Sequence, residues 1–295
     1  MSFSRLAALR ARLELPVVRK ATGLLEGRHR SVFSGHGQDF DDMVDYRPGD
    51  DISDIDWKAS ARAGHPIIKR FQKETNLRII LALDTGRSMA TLTPSGETKA
   101  EVAMFLCEVI AFLARGRGDH VGLVAGDAER LVQVPARQGT QHLEQLLRVA
   151  ERQLGLDSPP ADLGRLLQRV LTTATRRSLI VVVTDEARPH PDDEMDLRRL
   201  RTRHEVMVLA IADLKPTELT SSKGVVVDVD GGRLPDFVRR DRVIRAEAAE
   251  RVEERKKAVA AMLRRRGITS TVVSGSEDAV DALIDLLGRQ RRVRR

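Results

Sequence analysis

Carboxylate and hydroxyl side chains follow directly on the most apolar stretch of the sequence. Residues 79–83 form a continuous aliphatic run that predicts a buried parallel strand, and the chain then reaches Asp84 and Ser88. A second predicted strand, residues 178–184, ends at Asp185. In open α/β sheets, ligands bind beyond the carboxyl ends of the strands, in the crevice where the strand order reverses. We therefore expect these three side chains to lie at one binding edge.

The sequence from residue 77 onward alternates apolar runs with amphipathic stretches, which is typical of strands that alternate with helices. A helix is predicted to begin after Thr98, where Glu101 completes a capping box, and to stop at Gly116 and Gly118. Further strands are predicted at residues 121–125, 131–134, 206–211, 225–229 and 269–273. Further helices are predicted at residues 143–150, 193–203 and 246–266, and two more helices are predicted to begin at residues 162 and 276. The pattern predicts an α/β fold with a doubly wound, mostly parallel sheet and helices on both faces.

The segment before residue 75 differs in composition, because it is rich in Gly, Asp, Arg and His and has few apolar residues for a core of its own. Strands are predicted at residues 38–46 and 66–71, which either pair with each other or lie on the main domain. The apolar residues expected to bury against the main domain are Ile55, Trp57, Ile67, Ile68 and Phe71. We divide the chain into a helical segment (1–25), a small β subdomain packed on the main domain (26–74), the main domain (75–288) and a basic tail (289–295).

A group of aspartates in the small subdomain lies near an equal number of basic residues in the sequence. The aspartates are Asp50, Asp51, Asp54 and Asp56, and the basic residues are Arg47, Arg62, Lys69 and Arg70. An oxygen-rich cation site needs carboxylates that no basic residue opposes. The composition therefore favours an ion-pair network over an acidic metal site.

The net charge of +7 comes mostly from the end of the chain, where the last seven residues include Arg289, Arg291, Arg292, Arg294 and Arg295. Aromatic residues make up only 3% of the chain, so no stacking platform for single strands is expected and nucleic-acid binding is disfavoured. Such a tail would be attracted weakly to anionic membrane surfaces. The sequence contains no apolar run near the roughly 20 residues of a membrane helix, and arginines interrupt the first 15 residues, so we expect a cytoplasmic protein.

Three short blocks in series carry a family resemblance. They are Arg47, Pro48, Gly49, Asp50 and Asp51; then Ile55, Asp56, Trp57, Lys58, Ala59, Ser60, Ala61 and Arg62; and then Asp84 to Met89. The chain closely resembles the bacterial domain-of-unknown-function family fifty-eight, whose members look like von Willebrand factor A domains preceded by a signature segment. The resemblance implies a partnership with MoxR-type AAA+ ATPases, because relatives are often encoded beside them and are thought to help assemble or activate other proteins.

The resemblance also implies a divalent-cation site of the form D-x-S-x-S, and this chain departs from it. Asp84, Ser88 and Asp185 stand in matching places, but Gly86 replaces the first serine and Ala161 the threonine of a neighbouring loop. With Ser158 as a substitute hydroxyl, such a depleted site would bind magnesium only weakly; no other cofactor is expected. The alternative interpretation is that both aspartates accept backbone N–H bonds at strand-to-loop turns and cap the helices that follow.

Three functions remain open on the sequence alone. The leading one is a non-catalytic interaction module that holds a partner protein through Asp84, Ser88, Asp162 and Asp185, by a shared cation or by direct pairing with basic residues. The second is a structural protein with a decayed metal site. The third is a serine hydrolase that uses Ser88, Asp185 and His190 or His204, which is disfavoured because residues 91–96 separate the serine from the next helix. The chain has no phosphate-binding loop, so it is not itself the ATPase.

Overall fold

The computed structural model describes residue 6 and residues 34–47, 52–72, 76–214 and 242–292. The chain divides into two compact units, a smaller one at Gly23–Asn76 and a main one that contains Leu77–Arg295. The predicted strand at residues 225–229, the helical segment at residues 1–25 other than Leu6, and Asp50 and Asp51 lie outside the described residues.

The smaller unit contains an antiparallel pair of strands, β1 (Ser34–Asp45) and β2 (Ile67–Gln72), which confirms that these segments pair with each other. Between them lies the short helix α1 (Trp57–Ala63). Asp56 caps this helix, because its Oδ1 accepts the backbone N–H groups at the first turn at 2.9 and 3.0 Å. The prediction that Trp57 is buried is wrong, since the residue is 69% exposed on the first turn of α1.

The main unit is built on a sheet with the strand order β5-β4-β3-β6-β7-β8. Its strands are β3 (Arg78–Asp84), β4 (His120–Gly126), β5 (Leu131–Arg137), β6 (Leu179–Asp185), β7 (Glu205–Ile211) and β8 (Thr269–Val273). All neighbouring strands are parallel except β4 and β5. The predicted doubly wound, mostly parallel sheet is therefore confirmed, and the strand order reverses between β3 and β6.

Helices cover both faces of this sheet. They are α2 (Lys99–Arg117), α3 (Thr140–Glu151), α4 (Leu163–Thr173), α5 (Glu194–Arg203), α6 (Arg242–Arg265) and α7 (Ser276–Arg292). Successive strand residues point to opposite faces, so Ile80 and Ala82 pack with α4, α5 and α6 while α2 contacts α3 and α7 on the other side. The helix α7 continues through Arg292, so the basic run at the end of the chain begins inside a helix.

The start of α2 is fixed by the predicted capping box. Thr98 Oγ1 accepts the N–H of Glu101 at 3.2 Å, and Glu101 Oε2 accepts the N–H of Thr98 at 2.7 Å. The helix carries Cys107, which is completely buried, and burial raises the pKa of this thiol to about 12. Within the described ranges, none of the helices has both the length and the apolar character of a membrane span.

Candidate functional site

Aspartates stand at the carboxyl ends of the four central strands of the main sheet. Asp84 ends β3 and Asp185 ends β6, and these neighbouring strands flank the point where the strand order reverses. Asp127 follows β4, and Asp213 lies shortly beyond β7. Sequence analysis missed these last two, although both come after apolar runs just as Asp84 does. This edge therefore carries more carboxylates than the motif alone indicated.

The carboxylate of Asp84 is turned into the protein. The residue is 1% exposed, its Oδ1 accepts the N–H of Gly86 at 2.9 Å, and its Oδ2 accepts the hydroxyl of Thr184 at 2.8 Å. Burial raises the pKa of Asp84, and the two hydrogen bonds and the charge of Arg188 oppose that shift. The interpretation of Asp84 as an acceptor of a backbone N–H at the turn is confirmed, and its carboxylate does not reach the surface.

The carboxylate of Asp185 is held from two sides. Its Oδ1 accepts the N–H of Ala187 at 2.6 Å, and its Oδ2 accepts a hydrogen bond from the Nζ of Lys99. Lys99 is the first residue of α2, is completely buried, and also forms an ion pair with Asp213. Burial and the neighbouring Asp185 raise the pKa of Asp213, whereas Lys99 acts to lower it. Sequence analysis missed Lys99, although a lysine at the positive pole of a helix is an unfavourable placement that signals a specific role.

Gly86 and Ala161 meet at the two positions where the resemblance implies hydroxyl ligands. A Cβ on Gly86 would lie 2.4 Å from both the Cα and the Cβ of Ala161. The loop that carries Ala161 is tied in place, since Arg87 donates its N–H to Pro159 O and Arg188 Nη2 donates to Ala161 O, both at 2.9 Å. A hydroxyl-bearing side chain therefore has no room at residue 86.

The remaining predicted polar residues have separate roles. Ser88 Oγ is buried and has no hydrogen-bond partner among the described residues. Ser158 does not supply a substitute ligand, because its hydroxyl accepts a hydrogen bond from Arg130 Nη2 at 2.8 Å and donates one to a backbone carbonyl. Asp162 caps α4 by accepting the N–H of Arg165 at 2.9 Å. The structure thus places these residues near one edge without joining them into one ligand set.

These residues do not fit the divalent-cation site that the resemblance implies. The contact between Gly86 and Ala161 leaves no room for a hydroxyl-bearing side chain at residue 86, and residue 161 carries no hydroxyl. Asp185 is paired with an ammonium group. Across the described ranges, no three His, Cys, Asp or Glu side chains are grouped so that they could hold a metal ion. A further carboxylate, that of Asp127, accepts hydrogen bonds from the hydroxyl of Thr85 and from the guanidinium group of Arg130. Burial acts to raise the pKa of Asp127, but hydrogen bonds from Arg130 and Glu129 outweigh this effect and lower the pKa.

The arrangement required for a serine hydrolase is also not assembled. His204 precedes β7, and Glu205 pairs with Leu179 at the amino end of β6, so this imidazole lies at the opposite edge of the sheet from Ser88. His190 does follow β6 at the correct edge, but the unpartnered Ser88 Oγ receives no hydrogen bond from it. Within the described part of the chain, no general base is hydrogen-bonded to Ser88.

The signature segment is described in part. Arg47 and the Asp56–Trp57–Arg62 portion lie within the described residues, whereas residues 48–51 do not. The carboxylate of Asp56 binds backbone N–H groups of α1, and Arg62 lies in the last turn of that helix. The ion-pair network expected for this segment stays a prediction.

A family model, described as protein of unknown function DUF58, matches residues 42–258. The chain belongs to this family. A relative from Mycobacterium tuberculosis (strain ATCC 25618 / H37Rv), an uncharacterized protein, is 30% identical over 255 residues, which cover 84% of this chain and 80% of the relative. Membership of the DUF58 family confirms the family inferred from the three sequence blocks.

Solved structures that are similar to this chain share little sequence identity with it. An aerotolerance-related membrane protein from Bacteroides fragilis covers 72% of this chain over its own full length, with a TM-score of 0.46 and 16% identity. A von Willebrand factor type A protein from Catenulispora acidiphila covers 75% of this chain over 44% of its own length, with a TM-score of 0.41 and 14% identity.

Proposed function

We propose that this DUF58 chain is a cytoplasmic, non-catalytic protein-interaction module whose partner is a MoxR-type AAA+ ATPase or that ATPase's client. The partner would bind the carboxyl-edge surface, which we define as the loops and first helical turns that follow β3, β6 and β7 together with the loop between α3 and α4. The choice of partner comes from the family resemblance, and the choice of surface comes from the geometry of the main unit.

Exposed apolar side chains at this edge carry the proposal. Leu92 is 46% exposed in the loop after β3, and Met195 is 63% exposed in the first turn of α5. Leu156 is 73% exposed in the loop between α3 and α4, which reaches the same edge because Pro159 O accepts the N–H of Arg87. Two solvent-exposed leucines and one solvent-exposed methionine at the same edge of the sheet support contact with a protein partner.

The polar groups at the same edge support recognition more than catalysis. Asp84 and Asp185 are buried and bonded within the chain, so they act as a scaffold, and the half-exposed Asp213 is the carboxylate that a partner can reach. Ser88 lacks a base to activate it within the described residues. Contacts by Asp213 and by the apolar side chains replace the direct contact by Asp84 that the sequence suggested.

The test is a titration of the purified ATPase with the full chain. A triple variant, Leu92→Asp, Leu156→Asp and Met195→Asp, should weaken binding about tenfold or more, because charged groups then face the apolar contact. Gln168→Asp, on the exposed face of α4, is the matched control for added charge and should bind like the wild type.

A second arm tests the other exposed surface. Trp57→Ala changes an exposed residue of the signature segment, which belongs to the smaller unit. If this variant loses binding while the triple variant binds like the wild type, the carboxyl-edge surface is not the docking site. If the wild type binds neither the ATPase nor its client at micromolar concentration, the proposed partnership is refuted.

A further inference from the structure

A lysine occupies the carboxylate cluster at the ends of β6 and β7. The Nζ of Lys99 forms ion pairs with Asp185 and with Asp213, and only 1% of its side chain is exposed. Lysine is almost never fully buried unless it is paired, because taking an ammonium group out of water is expensive. The two carboxylates supply that pairing, so the burial of Lys99 depends on both of them.

Hydrogen bonds of the backbone around Lys99 fix the position of its ammonium group beside the two carboxylates. The capping box at Thr98 fixes the first turn of α2, and the N–H of Lys99 donates to Thr91 O at 2.8 Å. Thr91 Oγ1 in turn lies 3.4 Å from Asp213 Oδ1. A cation at the amino end of a helix opposes the helix dipole, so this placement persists only because the carboxylates compensate for it.

We infer that the ammonium group of Lys99 takes the place of a divalent cation in this chain, binding the ends of β6 and β7 to the loop after β3 and making this edge independent of metal. The contact between Gly86 and Ala161 supports the inference independently, because it leaves no room for a hydroxyl-bearing side chain at residue 86. An ammonium group and a divalent cation compete for the same carboxylate oxygens, so Asp185 cannot serve both.

Thermal unfolding of the full chain tests this inference without any partner. For the wild type, we expect the same melting temperature in EDTA, in millimolar Mg²⁺ and in millimolar Mn²⁺, because a bound ion would otherwise stabilise the native state by mass action. A wild-type melting temperature that rises with either ion and falls with EDTA would overturn the inference.

The decisive variant is Lys99→Ala, which leaves Asp185 and Asp213 unpaired around the vacated space. Its melting temperature should fall by about 5–15 °C, and Mn²⁺ or Mg²⁺ should restore part of that loss. The triple variant Lys99→Ala, Asp185→Asn, Asp213→Asn should show no response to either ion, because the ligand charges are gone. Lys256→Ala removes a partly exposed lysine that pairs with Glu186 at 3.0 Å, and this matched control should also show no ion response.

The remaining outcomes also decide the question. If Lys99→Ala is destabilised and neither ion restores stability, Lys99 is an ordinary buried ion pair and the substitution for a cation is refuted. If Lys99→Ala does not fold, Lys99→Met combined with Asp185→Asn removes the pair while conserving volume and should fold. Ion-dependent stabilisation of that double variant would contradict the assignment of Asp185 as the carboxylate that the ammonium group satisfies.

Discussion

Substituting Gly86 by serine restores one hydroxyl of the metal-binding pattern in the sequence. The structure predicts that this substitution destabilises the fold. The new Cβ would lie 2.4 Å from the Cα of Ala161 and 2.5 Å from its backbone nitrogen. Carbon atoms in good contact are roughly 3.5–4.0 Å apart, so the added Cβ would overlap backbone atoms by about 1 Å. The loop cannot withdraw freely, because Pro159 O and Ala161 O accept hydrogen bonds from Arg87 and Arg188.

The expected loss combines these two effects. Overpacking of a dense site costs about 1–3 kcal/mol, and each hydrogen bond lost as the loop moves costs about 0.5–1.5 kcal/mol. We expect Gly86→Ser to lower the free energy of unfolding by about 3 kcal/mol, which corresponds to a fall in melting temperature of roughly 5–10 °C.

Thermal and urea unfolding with and without Mg²⁺ measure this loss. Gly155→Ser is the matched control, because Gly155 has no atom within 4 Å of an added Cβ, and its stability should stay close to that of the wild type. A Gly86→Ser protein as stable as the wild type, with a melting temperature that rises on addition of Mg²⁺, would refute the reasoning and restore the interpretation of a merely depleted metal site.

Two further predictions follow from buried ionisable groups. Because burial raises the pKa of Asp84, its stabilising contribution is complete below the unfolded value of 3.8 and is lost as the pH rises through the native pKa. At neutral pH, the free energy of unfolding of Asp84→Asn should therefore lie within about 1 kcal/mol of the wild-type value. Asp84→Ala should lower it by about 2 kcal/mol, because the N–H of Gly86 and the hydroxyl of Thr184 lose their acceptor. Equal losses for the two variants in urea unfolding would contradict this prediction. Burial and the charge of Arg203 lower the pKa of His204 below the unfolded value of 6.5. As the pH falls through 6.5, the imidazole is therefore protonated more readily in the unfolded state, and the stability of the wild type decreases. His204→Phe should lack this part of the loss, and identical pH profiles of the melting temperature would show that His204 does not contribute.

Local sequence patterns were sufficient to predict most of the fold. The aliphatic run at residues 79–83 lies in β3, and the capping box at Thr98 marks the start of α2. Such features depend on neighbouring residues and on the alternation of apolar side chains, which a sequence displays directly. The amino end of β1 extends beyond the prediction to Ser34, which pairs with Gln72 of β2 although this stretch is not an apolar run.

The site depended on contacts between residues far apart in the chain. The sequence by itself determined that Asp84 and Asp185 each end a buried strand, whereas the pairing of these two strands at the switch point came from the structure. Only the tertiary structure decided that Lys99 reaches Asp185, that Gly86 packs on Ala161 and that Trp57 is exposed. The physical reason is that strand ends follow from local pattern, whereas the partner of a buried charge and the space beside a glycine are set by how distant loops pack against one another.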